Sequence, residues 1–276
     1  MGTGTPSPQA PAAPLRLRRS AARLTAGQLA LLRRAFTAAM GISDDRGYAY
    51  WAGIHGLPLP IGCDNAHGTP YFLPWHRAYL YFFERALRDQ APDVTLPWWN
   101  WTATFGGPRV RIPAAYTDRR GADGTPNPLL SAPVDKLALQ QGRQEGMSVA
   151  ARTARRPGAP GAPPLPTAQE VEDVLRLSDF LDFTAQLEGL HDRVHVWTGG
   201  HMGLIPFAAF DPIFWAHHTM VDRIWRLWQL RHAAARPPAS ILDQALPPFG
   251  MTVRQTLDVT ALGYDYAVAT STITVA

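Results

Sequence analysis

Apolar positions recur with a helical period in several stretches of the chain. Behind Thr25, a side chain suited to capping a helix start, Leu29, Leu31, Leu32 and Phe36 make one stripe. The run PWHRAYLYFFERALRDQ, 74–90, predicts a second helix, with Pro74 near its start, where a missing N–H costs little. Thr167 and Glu170 form a capping box ahead of AQEVEDVLRL, and 179–197 continues helical. The strongest pattern is DPIFWAHHTMVDRIWRLWQLRH, with Asp211 as N-cap and Pro212 in the first turn.

The intervening segments read differently. Residues 41–70 are rich in Gly, Pro, Asp and Asn and predict a long ordered loop. From 106 to 166 there is little periodicity, and RRPGAPGAPPLP, 155–166, reads as a surface linker. The C-terminal GYDYAVATSTITVA reads as short strand or extended chain. No repeat is visible. The pattern predicts a mainly α fold with four principal helices packed together, long ordered loops and little strand. It forms one domain over 15–276 behind a disordered Pro/Ala-rich tail at 1–14.

Composition narrows the function. A chain of 276 residues can bury a sizeable core. Cys63 is the only cysteine, which excludes an intrachain disulfide and a thiolate cluster. The net charge of +4 comes from scattered arginines, with Lys136 the only lysine, which argues against nucleic acid as a partner. No run approaches a membrane span, and the N-terminus lacks a secretory layout. The expected location is cytoplasmic, with no membrane partner.

The histidines carry the chemistry. His191 and His195 are four apart, so they share a helix face about 5–6 Å apart at Cβ, a spacing that suits chelation of one ion. Glu188 and Asp192 fall on the same face, flanked by Leu187, Leu190, Val194, Val196 and Trp197, so the polar stripe is read as buried and in need of partners. His218 with Asp222 makes a second i, i+4 pair, and His217 points about 100° away. His67 and His76 form a third cluster, with His55 upstream. His201 and His232 are read as structural. Imidazole-rich sites suit copper, zinc, iron or nickel. A zinc hydrolase would more often show HExxH or mixed carboxylates, and a purely structural histidine cluster is the blander alternative. Two sets of three neutral histidines suit paired copper and O2.

These residues resemble the tyrosinases, polyphenol oxidases and hemocyanins, the type 3 copper proteins. One signature is His67, Phe72-Leu73-Pro74-Trp75-His76-Arg77, Leu80 and Glu84. The other is Asp211-Pro212-Ile213-Phe214-Trp215-Ala216-His217-His218 and Asp222. HDRVHVWTGG, LPWWNW and GYDY match further segments, so the resemblance spans about 15 to 266. It implies a four-helix bundle around a dinuclear copper centre. His55, His67 and His76 would hold one copper; His191, His195 and His218, rather than His217, would hold the other. Cys63 is expected to be a plain thiol, with a thioether to a copper-binding histidine as the alternative.

The resemblance further implies O2 as co-substrate and oxidation of o-diphenols or o-aminophenols, with ortho-hydroxylation of monophenols as a further activity. Small phenols are then the partners, with a copper-loading helper protein as another. Glu188 resembles a glutamate that holds water near the metals. Asp192 stands where tyrosinases often carry Asn, which weakens the expectation of monophenol hydroxylation. Two carboxylates one turn apart should also repel, so that the pair holds one proton. Val196, Met202 and Ile205 are expected in the substrate pocket wall, and Asp222 behind the ligands, accepting an imidazole N–H or anchoring an arginine; a surface ion pair with Arg226 is its alternative. The rival function is a hemocyanin-like O2 carrier. The expectation that no covering domain follows Tyr266 puts it second.

Overall fold

The protein, as a computed structural model, is described over residues 15–59, 66–102 and 112–267. The expected tail at 1–14 and Cys63 lie outside the described residues. Helices dominate: α1 Ala26–Met40, α2 Tyr48–His55, α3 Phe72–Gln90, α4 Lys136–Gln144, α5 Ala168–Leu175, α6 Phe180–Thr198, α7 Ile205–Ala208, α8 Ile213–Arg231 and α9 Val253–Thr256. Among the described residues the strands are two short pairs, β1 Arg16–Arg18 beside β4 Tyr264–Tyr266, and β2 Ala245–Leu246 beside β3 Met251–Thr252.

Local chemistry explains most of the ends. Thr25 and Gln28 cap α1 reciprocally, and Thr167 and Glu170 do the same for α5. Asp179 accepts from the Leu181 and Asp182 N–H groups at the start of α6. Asp211 accepts from Ile213 N at 3.1 Å, but it sits one residue outside the N-cap, which falls on Pro212. Its carboxylate is chiefly engaged with buried Arg155, at 2.5–2.9 Å.

Two helices lie where loop was expected. In the 41–70 segment, Tyr48–His55 is helical, because an aromatic run sits between Gly47 and Gly56. A Cβ on Gly56 would lie 2.5 Å from the Pro206 backbone, so only glycine lets the end of α2 meet α7. In the weakly periodic 106–166 segment, α4 forms behind Asp135, which caps the Leu137 and Ala138 N–H groups. The surface linker is tied down at its start, where Arg156 N and Gly158 N donate to Thr198 O and Trp197 O at the end of α6.

The core lies between α3, α6 and α8. Phe83 of α3 stacks on Trp215 of α8, Phe183 of α6 stacks on Trp228, and Phe36 of α1 meets Phe83 edge-on. Such pairs add about 0.5–1.5 kcal/mol each beyond area burial. A buried ionic network closes one end of the bundle. Asp222 of α8 receives Arg77 Nε at 2.5 Å, Arg18 Nη1 at 3.1 Å and the Tyr264 hydroxyl at 2.7 Å, and also the Tyr266 hydroxyl. Arg18 Nε reaches Glu84 at 2.9 Å. The β1–β4 register pairs Arg18 with Tyr266, and strand alternation turns Tyr264 and Tyr266 inward together.

Candidate metal centre

Four helices and one loop deliver the histidines. His55 ends α2, His76 lies one turn into α3, His191 and His195 share a face of α6, and His218 lies in the second turn of α8. His67 precedes α3 in the loop. All six come together. His55, His67 and His76 place one ring nitrogen each within 4.8 Å of one another, and His191, His195, His217 and His218 do likewise. The two sets face each other: the rings of His76 and His218 stack with centroids 4.4 Å apart, and those of His67 and His191 are 5.7 Å apart.

Backbone carbonyls choose the tautomers. A carbonyl only accepts, so His195 Nδ1–H donates to Met202 O at 2.8 Å, His76 Nδ1–H to Phe72 O at 2.8 Å, and His55 Nδ1–H to Ile205 O at 3.2 Å. His191 Nδ1 lies 3.1 Å from the Asp192 carboxylate, which selects the same form. Each ring therefore turns an Nε2 lone pair inward. His218 Nε2 is 3.2 Å from His191 Nε2 and 3.3 Å from His195 Nε2. Nitrogens bound to one ion at about 2.0–2.1 Å in a tetrahedral arrangement would be about 3.3 Å apart. The buried His76 Nε2 has no hydrogen-bond partner. Converging lone pairs and a buried orphan nitrogen fit a pair of metal ions.

Burial keeps these rings neutral, the form a metal needs. Desolvation, with repulsion among the rings, pushes His55, His76, His191, His217 and His218 well below the ordinary histidine value, and His195 down to about 4. His217 is fully buried, with neither nitrogen hydrogen-bonded. It stacks on His191 and faces Trp101, away from the first set, whereas His218 faces His76. His201 spends both nitrogens on the backbone, accepting from Ala154 N and donating to Ala150 O, and His232 Nε2 donates to Leu175 O.

The carboxylates divide in their roles. Glu188 accepts from Gly68 N–H at 2.8 Å, beside His67. Burial raises its carboxyl to about 7, against the Gly68 hydrogen bond, and Asp192 adds the smallest push. Asp192 does not share the burial expected of the whole stripe, its side chain being 64% exposed; partial desolvation still raises it, with His67 and His195 opposing. Desolvation, more than mutual repulsion, thus holds the proton expected on this pair. Asp222 touches no histidine among the described hydrogen bonds. Burial raises it, but Arg77 and Arg18 outweigh burial and hold it below the usual carboxylate value. Of the two ways considered for Asp222 to support the ligands, the arginine anchor is the one formed, through Arg77 next to His76. Arg226 instead pairs with Asp265.

A cleft of about 650 Å³ opens along α6, with Gly68, Thr184, Glu188 and Asp192 in its wall; no histidine lines it, but Gly68 and Asp192 adjoin His67 and His191 in the chain. None of Val196, Met202 and Ile205 lines it. Val196 and Ile205 are more than half exposed, while Met202 is buried and contributes its carbonyl to His195. Residues that motif reading did not assign also shape the site. Arg18 enters the Asp222 network from a strand remote in sequence. Gly199 and Gly200, at φ 62° and 59°, turn the chain from α6 back to Met202. The doubled glycine in WTGG was the available signal.

Residues 45–231 match the family model described as the common central domain of tyrosinase. A tyrosinase of Streptomyces lincolnensis is 32% identical over 84% of this chain and 92% of its own length. A G-type hemocyanin of Enteroctopus dofleini, units Oda to Odg, is 31% identical over 89% of this chain, which spans only 8% of that protein. The solved structure of a functional unit from octopus hemocyanin superposes with a TM-score of 0.74 at 26% identity, covering 92% of this chain and 68% of the other.

Proposed function

The chain belongs to the tyrosinase family of type 3 copper proteins, and on that premise we propose that it is an O2-dependent oxidase. It converts o-diphenols or o-aminophenols to quinones or quinone imines, with ortho-hydroxylation of monophenols as a second activity. Each catechol gives up two electrons and two protons, so one O2 takes up the electrons of two catechols and leaves as two waters.

His55, His67 and His76 would hold one copper, and His191, His195 and His218 the other. Copper bound there would supply the electron transfer between phenol and O2 that no side chain provides. The chain's own part is placement and proton handling. Carbonyls of Phe72, Ile205 and Met202 fix the imidazoles with Nε2 inward. Asp192 orients His191. Glu188, held by Gly68 N–H and raised to about 7, is poised to take a phenol proton directly or through water near neutral pH. The aromatic packing of α3 and α8 keeps bulk water from the far side.

The observation that carries this reading is the open cleft running to Glu188 and Asp192 beside His191. A substrate needs such a route, and a carrier of O2 alone does not. A second reading, reversible O2 binding, has the hemocyanin similarity in its favour. An O2 electrode separates them on the copper-loaded protein. Catechol- or o-aminophenol-dependent O2 consumption supports the oxidase, and a monophenol run in parallel measures hydroxylation. Reversible O2 uptake without turnover of any phenol would replace it with the carrier.

A further inference from the structure

A wedge opens where two extended stretches of the chain part. Trp98 pairs with Ser20: Ala21 N donates to Trp98 O, and Trp98 N donates to Arg19 O. Continued backward in that register, 93–95 would lie beside 15–17. A pocket of about 530 Å³ separates them instead, a size within the range of small-molecule sites, about 300–1,000 Å³. Its floor is aliphatic, made by Leu24 and by Leu31 and Leu32 of α1, and no aromatic ring lines it among the described residues. Leu15 and Leu17 stand at its mouth, 44% and 41% exposed. The other edge of β1 is taken by β4, where Arg16 N donates to Gly263 O and Arg18 O accepts from Ala267 N. Alternation along the strand therefore turns the Leu17 N–H the opposite way, to the edge that Trp98 occupies further along.

The charged groups at the wedge point to an anion. Arg16 donates through Nη2 to Pro92 O at 3.2 Å, while its buried Nε has no hydrogen-bond partner. Among the described residues neither Arg16 nor Arg19 is paired with a carboxylate, and Asp93, exposed on the rim, reaches neither of them. The balance behind the wedge is positive too. Arg18 and Arg88 share Glu84, and Arg18 and Arg77 share Asp222, so three guanidiniums rest on two carboxylates. Burial lowers the pKa of Arg88, Glu84 opposes, and repulsion from Arg16 and Arg18 adds to the lowering. Arg16 is thus a further cation at a place already short of negative charge, and such a field draws anions from solution.

We propose that this wedge binds an aliphatic carboxylate. Its chain lies on Leu24, Leu31 and Leu32 and covers Leu15 and Leu17. Its carboxylate meets Arg16, Arg19 and the Leu17 N–H. A carboxylate is acceptor-only, with sites for several donors, and the guanidinium fork matches its two oxygens. The leucine floor selects an aliphatic body over an aromatic one. The wedge shares no lining residue with the cleft along α6, and its ligand is independent of the oxidase reading.

Amide hydrogen exchange, followed by mass spectrometry on the copper-loaded protein, tests it with three probes kept below micelle formation: octanoate, octan-1-ol and octylammonium. Octanoate should slow exchange in the peptides covering 15–24 and 92–96, and should saturate at a concentration about fivefold lower than the alcohol or less. Octylammonium should leave those peptides unprotected. Replacing both cations, Arg16→Gln with Arg19→Gln, should bring octanoate to the level of the alcohol, whose own binding stays as it was. Because Arg16 is partly buried, a second variant guards against misfolding. Leu17→Asp, at an exposed position, sets a carboxylate in the mouth and should abolish protection by octanoate at unchanged copper content and melting temperature. Equal protection by the three probes, protection by octanoate that survives in either variant, or protection confined to the peptides carrying the metal-centre histidines would overturn the proposal.

Discussion

His195 donates its Nδ1–H to the carbonyl of Met202 at 2.8 Å, across a reversal of the chain made by Gly199 and Gly200. Gly199 has φ 62° and ψ −168°, a combination that essentially only glycine adopts. A Cβ on Gly200 would sit 2.0 Å from Ala154 O. The orientation of one imidazole thus depends on two residues without side chains.

Gly200→Ala is accordingly expected to displace Met202 and release His195. Thermal melting should show a loss of about 1–3 kcal/mol or more, and elemental analysis should show less copper per chain. A variant with wild-type melting and copper content would mean that the reversal is not needed to place His195.

His195→Ala should leave one set with too few imidazoles, losing that set's copper and all catechol-dependent O2 uptake. His217→Ala should retain both coppers, since His217 faces Trp101 rather than the opposing set. Copper analysis of the two variants decides it. Equal losses would assign His217 a ligand role.

Asp222→Ala would leave Arg18 and Arg77 buried without the carboxylate that both share. Breaking a buried pair costs about 3–5 kcal/mol, and here the cost should be visible in urea unfolding of the metal-free protein. Copper affinity should fall less directly, through Arg77 beside His76. Unchanged metal-free stability, with weakened copper binding, would place Asp222 with the ligands instead.

The metal-free protein should lose stability on acidification. Above about pH 6.5 the buried histidines are neutral both folded and unfolded, so they contribute no pH dependence. Below it the unfolded chain takes up protons that the folded rings resist, His195 down to about 4 and the others well below the ordinary value. Each such ring removes about 1.4 kcal/mol per pH unit. Glu188 acts oppositely: it stays protonated when folded up to about 7, so its contribution is lost as pH rises from its unfolded value toward about 7. One carboxyl against several imidazoles leaves a net fall, measurable as a melting temperature that drops between pH 7 and 5. A flat profile would contradict neutral burial of the rings.

Asp192→Asn keeps an oxygen for His191 Nδ1–H and removes a charge beside Glu188. Glu188 should then ionise more readily and serve better as a base for a monophenol, whose pKa is about 10. The ratio of monophenol to catechol turnover should rise, measured on both proteins at equal copper loading across pH. Because Asp192 is the weakest of the influences on Glu188, the rise should be modest; a ratio that stays flat or falls would leave Asp192 with only the His191 contact.

Helical periodicity and capping chemistry are local, so α1, α3, α5, α6 and α8 were legible in the sequence, and so was the chelating spacing of His191 and His195. The motif residues named the histidines that meet. Other features depend on partners far away along the chain. The helix ending in His55 is stabilised against α7 through Gly56, which composition alone reads as loop. Val196 and Ile205 have the hydrophobicity of a pocket wall, but whether a residue lines a given cleft depends on what packs opposite, and the cleft along α6 is lined by Thr184 and Glu188 and by neither of these two. Asp222 could have faced an imidazole by spacing. Arg18, some two hundred positions earlier, and Arg77 draw its charge away, because a buried carboxylate is held by whichever buried cations reach it. Spacing determined which side chains share a face; only the tertiary structure decided what that face meets.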